Sequence, residues 1–122
     1  MRAELKGMHS PDVDLADPEA VRVVDAALVQ LMIGPAGAVG EESFDLVVHA
    51  SGGDAAAADG DGFRPVDHAL VLDRIDAAEV RRRVESFLRD LDRPTWAALA
   101  EAIGRIARWE FVGYRPAGEA GA

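Results

Sequence analysis

The nine residues ESFDLVVHA, Glu42 to Ala50, constrain the fold more than any other stretch. Phe44, Leu46 and Val48 alternate strictly with Ser43, Asp45 and Val47, the period of a β-strand that packs one face and leaves the other toward water. A loop of small residues, GPAGAVG, leads straight into it. The economical arrangement is therefore a hairpin with the apolar segment before the loop.

That earlier segment supports two readings. Asp17-Pro18-Glu19-Ala20 offers an N-cap, a proline in the first turn and an early acid, with Val21, Val24, Leu28 and Leu31 at helical spacing. AALVQLMI, Ala26 to Ile33, has instead the look of a strand buried on both faces and stopped at Gly34-Pro35. Ala3 to Met8 suits an edge strand, Val66 to Leu72 a further strand, and Ser51 to Pro65 a loop rich in Gly, Ala and Asp. Asp76, with Glu79 three residues on, forms a capping-box pattern ahead of Val80, Val84, Phe87, Leu88 and Leu91 on one helical face. Thr95 caps a second amphipathic helix through Trp96, Leu99, Ile103 and Ile106, ending near Arg108. These elements predict one α+β domain over residues 1–115, an antiparallel sheet of about four strands packed on one face by two C-terminal helices, followed by a flexible tail at 116–122.

Composition narrows the function classes. Apolar residues are 49% and charged residues 29% of the 122, an ordinary globular balance. No cysteine is present, which removes disulfides, thiolate metal sites and a cysteine nucleophile. No secretory or membrane-spanning run occurs, so a cytoplasmic protein is expected. The net charge of −9 is lopsided: Met1 to Gly62 holds 12 acids against 3 bases, and Phe63 to Ala122 holds 10 of each. Such a field repels nucleic acid phosphates and anionic lipid and attracts a basic protein.

The specific chemical motifs fail one by one. Gly34, Gly37 and Gly40 lead into Glu41, Glu42 and a strand, whereas a phosphate cradle needs a helix start and gains from a lysine. The Asp59 to Gly62 run (DGDG) does not make a calcium loop. An EF-hand opened at Asp59 meets Leu70 where glutamate is required, and one opened at Asp54 meets Asp59 where glycine is required. His9, Asp12, Asp14 and Asp17 lack metal-ligand spacing. His49 and His68, on neighbouring strands, are more simply strand histidines than a proton shuttle or zinc pair. Ser43, Asp45 and His49 share a face without a nucleophile elbow. The run Arg81, Arg82, Arg83 reads as a solvated helix face with ion pairs. Trp109 is either a packing anchor or an exposed recognition aromatic. No catalytic residue, cofactor or metal is expected.

Three segments together, AELKGMHSPD, QLMIGPAGAVGEESFDLVV and TWAALAEAIGRIARWEFVGY, resemble the immunity protein 8 family of bacterial polymorphic toxin systems, in order and over most of the chain. The resemblance implies an α+β domain that neutralises a cognate toxin by stoichiometric binding, without catalysis, and it tips Ala26 to Ile33 toward strand. The toxin is expected to be a basic domain, a nuclease among the options. The contact residues are expected to be Glu41, Glu42 and outward-facing Asp45 on the strand end, Asp54, Asp59 and Asp61 on the acidic loop, and Trp109 and Glu110 in the terminal motif. A small acidic adaptor or homodimeric module is the alternative, and a His-dependent enzyme stands behind it.

Overall fold

A computed structural model describes residues 1–52 and 61–111. The order of elements is β1 (Ala3–His9), α1 (Pro18–Arg22), β2 (Ala26–Pro35), β3 (Glu42–Ala50), β4 (Gly62–Arg64), β5 (Ala69–Leu72), α2 (Ala77–Arg89), α3 (Trp96–Ile103) and β6 (Arg108–Trp109). The fold is α+β, one sheet with both C-terminal helices packed on it. The expected tail at 116–122 lies outside the described residues.

Both readings of the 17–33 stretch are realised, in succession. The Asp17 carboxylate accepts from the Glu19 and Ala20 N–H groups and Pro18 opens α1, which lasts five residues. The chain then extends as β2, pairing antiparallel with β3 from Ala26 opposite His49 to Ile33 opposite Glu42. β1 adds to the far side of β2, at the sheet edge. A bulge between Leu5 and Gly7 shifts its register, so Leu5 and Met8, three apart, both turn toward the core.

The sheet departs from expectation in size and direction. Among the described residues it has six strands, and β5 runs parallel to β3, with Val47 opposite Ala69 and Ala50 opposite Leu72. From β3 the chain crosses to the far edge, forms β4 inside the stretch expected to be loop, and returns as β5 between β4 and β3. The return passes through a 3-10 turn at Pro65–Asp67, so the strand expected from Val66 starts only at Ala69. His68 closes this turn in the left-handed region at φ 50°.

α3 also ends sooner than its apolar spacing suggests. Ile103 is its last residue, Gly104 caps it, and Ile106 and Ala107 remain buried in tight turns. Arg108 and Trp109 then extend as β6 against Asp45 and Phe44 of β3. Gly weakens a helix, and pairing with β3 requires an extended backbone. β3 thus pairs with β2 on one edge and with β6 and β5 in succession on the other.

Every helix covers the same side. Val29, Leu31, Ile33, Phe44, Leu46, Val48 and Leu70 are fully buried against Val80, Val84, Leu99 and Ile103, with Val21 of α1 in the same cluster. Among the described residues no helix lies on the other face of the sheet.

On α2 the capping box forms by half. Asp76 accepts from the Ala78 N–H, but Glu79 turns to Arg82 and Arg83 instead of back to the cap. Arg83 also reaches Asp61 at 3.0 Å, and Arg81 pairs with Glu85 at 3.7 Å, so the arginine run is an ion-pair face as expected. The hydrogen bonds from Arg83, then Arg82, hold the Glu79 carboxyl below its ordinary range. A depressed carboxylate stabilises the fold above its unfolded-state pKa, and that contribution is lost as pH falls through the folded value. Glu79→Gln is therefore expected to flatten part of the acid limb of stability, seen in thermal melts from neutral pH to about pH 3. An unchanged acid limb refutes the assignment.

Candidate functional site

The tip between β2 and β3 leads into Glu41, Glu42 and Asp45, three of the eight expected contact residues, and three features fix its shape. Gly37 and Gly40 adopt φ of 77° and 106°. Gly34 lies under the returning chain, so that a Cβ there would stand 2.9 Å from the Gly40 carbonyl carbon and 3.1 Å from the Glu41 Cα. The Ala36 N–H donates to the Arg2 carbonyl at 2.9 Å, and the Lys6 ammonium donates to the Ala38 carbonyl.

Behind the tip stands a clasp. The Glu42 carboxylate accepts from the Trp96 indole N–H at 2.7 and 2.9 Å and from the Trp109 indole N–H at 3.2 Å. One carboxylate thus joins β3, α3 and β6. Phe44 lies between the two indoles, stacked with Trp109 (centroids 6.3 Å apart, 12° between planes) and edge-on to Trp96 at 6.5 Å. Phe111 meets Trp109 edge-on at 5.6 Å. Trp109 is a packing anchor, half-buried on the core side. Glu110 closes the arrangement: its carboxylate accepts from the Ser43 N–H at 2.6 Å, and its own N–H donates to the Ser43 carbonyl at 3.0 Å.

Of the remaining expected site residues, only Glu41 stands at the tip. Glu41 is exposed and makes no hydrogen bond or ion pair with another described residue. Asp45 stands on the open face, between Gln30 of β2 and Arg108 of β6 in register. Asp61 sits beside β4, whose Gly62 aligns through Val71 with His49. Seven residues of β3 separate that row from Glu42, about 23 Å at the rise of a strand. Asp61 is moreover engaged by Arg83. Asp54 and Asp59 lie outside the described residues. Glu42 is turned inward and occupied, so it does not present free charge. Its placement was available in the sequence, since Glu42 shares the parity of Phe44, Leu46 and Val48. Its partnership with Trp96 and Trp109 left no local trace.

The other polar groupings stay apart. Asp12 accepts from the Leu28 N–H at 2.8 Å and Asp14 from the Ala16 N–H at 2.9 Å, each shaping backbone. His49 is exposed on the open face, while the His68 ring contacts the Gly104 carbonyl at 3.0 Å, at the end of α3. Among the described residues no three His, Asp or Glu side chains converge as a metal site, and no helix is long and apolar enough to cross a membrane.

Comparison with known proteins gives one match. The family model described as Immunity protein 8 matches residues 3–114, nearly the whole chain. No curated protein and no solved structure matches it. The match takes in β1, the hairpin, the Glu42 clasp and β6 together, and it implies a toxin as the binding partner. This chain belongs to the immunity protein 8 family.

Proposed function

We propose that the protein neutralises a cognate toxin of a bacterial polymorphic toxin system by stoichiometric binding in the cytoplasm, without catalysis, and that the β2–β3 tip is the part that meets the toxin. Family membership supports the first half. The observation that carries the second is the Glu42 clasp: the hydrogen bonds behind the tip fix its geometry and so reduce the ordering cost of binding. In front of the clasp, Glu41 has no partner among the described residues, and Val39, 97% exposed on the turn, supplies an apolar anchor. Glu110, at the same end of β3, extends the negative charge.

The toxin domain that fits is basic, and a nuclease cleft is the clearest instance, because carboxylates on a rigid tip resemble a row of phosphates. With a net charge of −9, steering raises encounter toward about 10⁸ M⁻¹s⁻¹ at low salt. A standard interface buries about 1,600 Å² in total.

Glu41→Lys is expected to weaken toxin binding about tenfold at low salt and to reduce its salt dependence, through slower association. Titration against the toxin domain encoded beside this chain, at several salt concentrations, measures both. Unchanged affinity and salt slope would remove the tip from the interface, and survival of cells co-expressing the pair tests neutralisation independently of where contact occurs.

A further inference from the structure

The uncovered face of the sheet does not have the composition of a surface meant only for water. A solvated antiparallel sheet alternates apolar-in with polar-out. Here the outward positions include Leu28 and Met32 of β2, Val47 of β3, and Ala69 and Val71 of β5, and register aligns Leu28, Val47 and Ala69 in one row with Val71 next to it. None belongs to the core cluster. All but Ala69 keep partial exposure, and Ala69 is 4% exposed.

Charge indicates what covers this face. Two acids, Glu4 and Asp45, and two bases, Arg64 and Arg108, point outward from its strands, with Lys6 at the β1 bulge beside them, so it is close to neutral on a chain of net charge −9. Two copies of so acidic a chain repel each other over most of their surfaces, and least where local charge cancels. A basic toxin would gain little from such a face and would meet Arg64 and Arg108 there. We infer that the open sheet face is a self-association surface whose occupant is a second copy of this chain.

The dimensions fit a modest dimer. Five strand positions at about 4.8 Å and eight paired residues at about 3.3 Å give about 600 Å² per copy, or about 1,200 Å² in total. That is the lower end for specific interfaces. Two such faces pack about 10 Å apart with strands nearly aligned, the geometry of a β-sandwich. The hairpin tip lies at the end of the sheet, outside this contact, so the assembly with toxin is two copies of each chain.

Salt separates this contact from toxin capture. Screening relieves repulsion between two negative chains, so self-association strengthens with salt while binding of a basic toxin weakens. Sedimentation equilibrium of the full chain, between about 1 and 100 µM, is expected to show the mass rising from 13.0 kDa toward twice that value, with a tighter midpoint at high salt. Val47→Lys and, separately, Val71→Lys are expected to hold the chain at 13.0 kDa with unchanged far-ultraviolet dichroism, whereas Glu41→Lys leaves the dimer intact. A monomer throughout that range overturns the inference, as does a dimer indifferent to both lysine variants or one that salt dissociates. A monomer whose Val47→Lys variant loses toxin binding also overturns it, giving the face to the toxin.

Discussion

Gly34→Ala is expected to destabilise the protein by about 3 kcal/mol or more, the largest effect of a methyl group added at any of the described glycines. The added Cβ would lie 2.9 Å from the Gly40 carbonyl carbon and 3.1 Å from the Glu41 Cα, and closer still to the Gly40 oxygen. All three are backbone atoms, so no rotamer change relieves the overlap. Either the hairpin opens at its neck, losing the Ile33–Glu42 end of the β2–β3 ladder, or β2 shifts away from β1. Gly37→Ala is the informative control. Gly37 has φ 77° and open space around its would-be Cβ, so alanine there meets only the left-handed backbone cost of about 1–2 kcal/mol. Urea unfolding followed by circular dichroism should rank Gly34→Ala well below Gly37→Ala. Equal midpoints would mean that the neck yields more easily than the close approach implies.

Glu42→Ala is expected to destabilise by about 2 kcal/mol and to change the environment of both tryptophans at once. Hydrogen bonds to a charged acceptor contribute about 1.5–3 kcal/mol, and partial exposure of the indoles lets water recover some of what is lost. Because Trp96 and Trp109 are the only tryptophans, fluorescence excited selectively in tryptophan reports on this cluster alone. The variant should emit at longer wavelength in the native state, as β6 and the start of α3 loosen against Phe44. Glu42→Gln keeps one acceptor oxygen and should lose roughly half as much stability. Glu41→Ala, one residue away on the solvent side, should stay within about 0.5 kcal/mol of the parent. A parent-like midpoint and emission for Glu42→Ala would show that the carboxylate does not hold these elements together.

What was legible in the sequence was what local chemistry determines. The alternation of Phe44, Leu46 and Val48 placed them in the core, Asp76 and Thr95 marked two helix starts, and the spacing of Val80, Val84 and Leu88 gave the buried side of α2. The departures come from pairing between distant parts of the chain. Nothing near Gly62 announces a strand, because β4 exists only through its partner β5. The parallel relation of β5 to β3 depends on the chain crossing to the sheet edge and back, which no periodicity encodes. The apolar spacing carries the second helix through Ile106 to near Arg108, yet the pairing of Arg108 and Trp109 with Asp45 and Phe44 requires the chain to leave the helix sooner. The site was half legible for the same reason: the acids were visible, but whether each was free or taken depended on residues as remote as Arg83 for Asp61 and the two indoles for Glu42.

The placement of all three helices on one side of the sheet bears on how such a protein can diverge. Along β2 and β3, residues that specify the fold alternate one by one with residues that face away from the core, as Leu46 does with Asp45 and Val47. Lineages can therefore exchange every second side chain and acquire new binding preferences while the interior is inherited intact. Insertion of a single residue within either strand has the opposite result, because it swaps the two sets and exposes the interior. Diversification in this architecture should proceed by substitution inside the strands and by changes of length only at their connections.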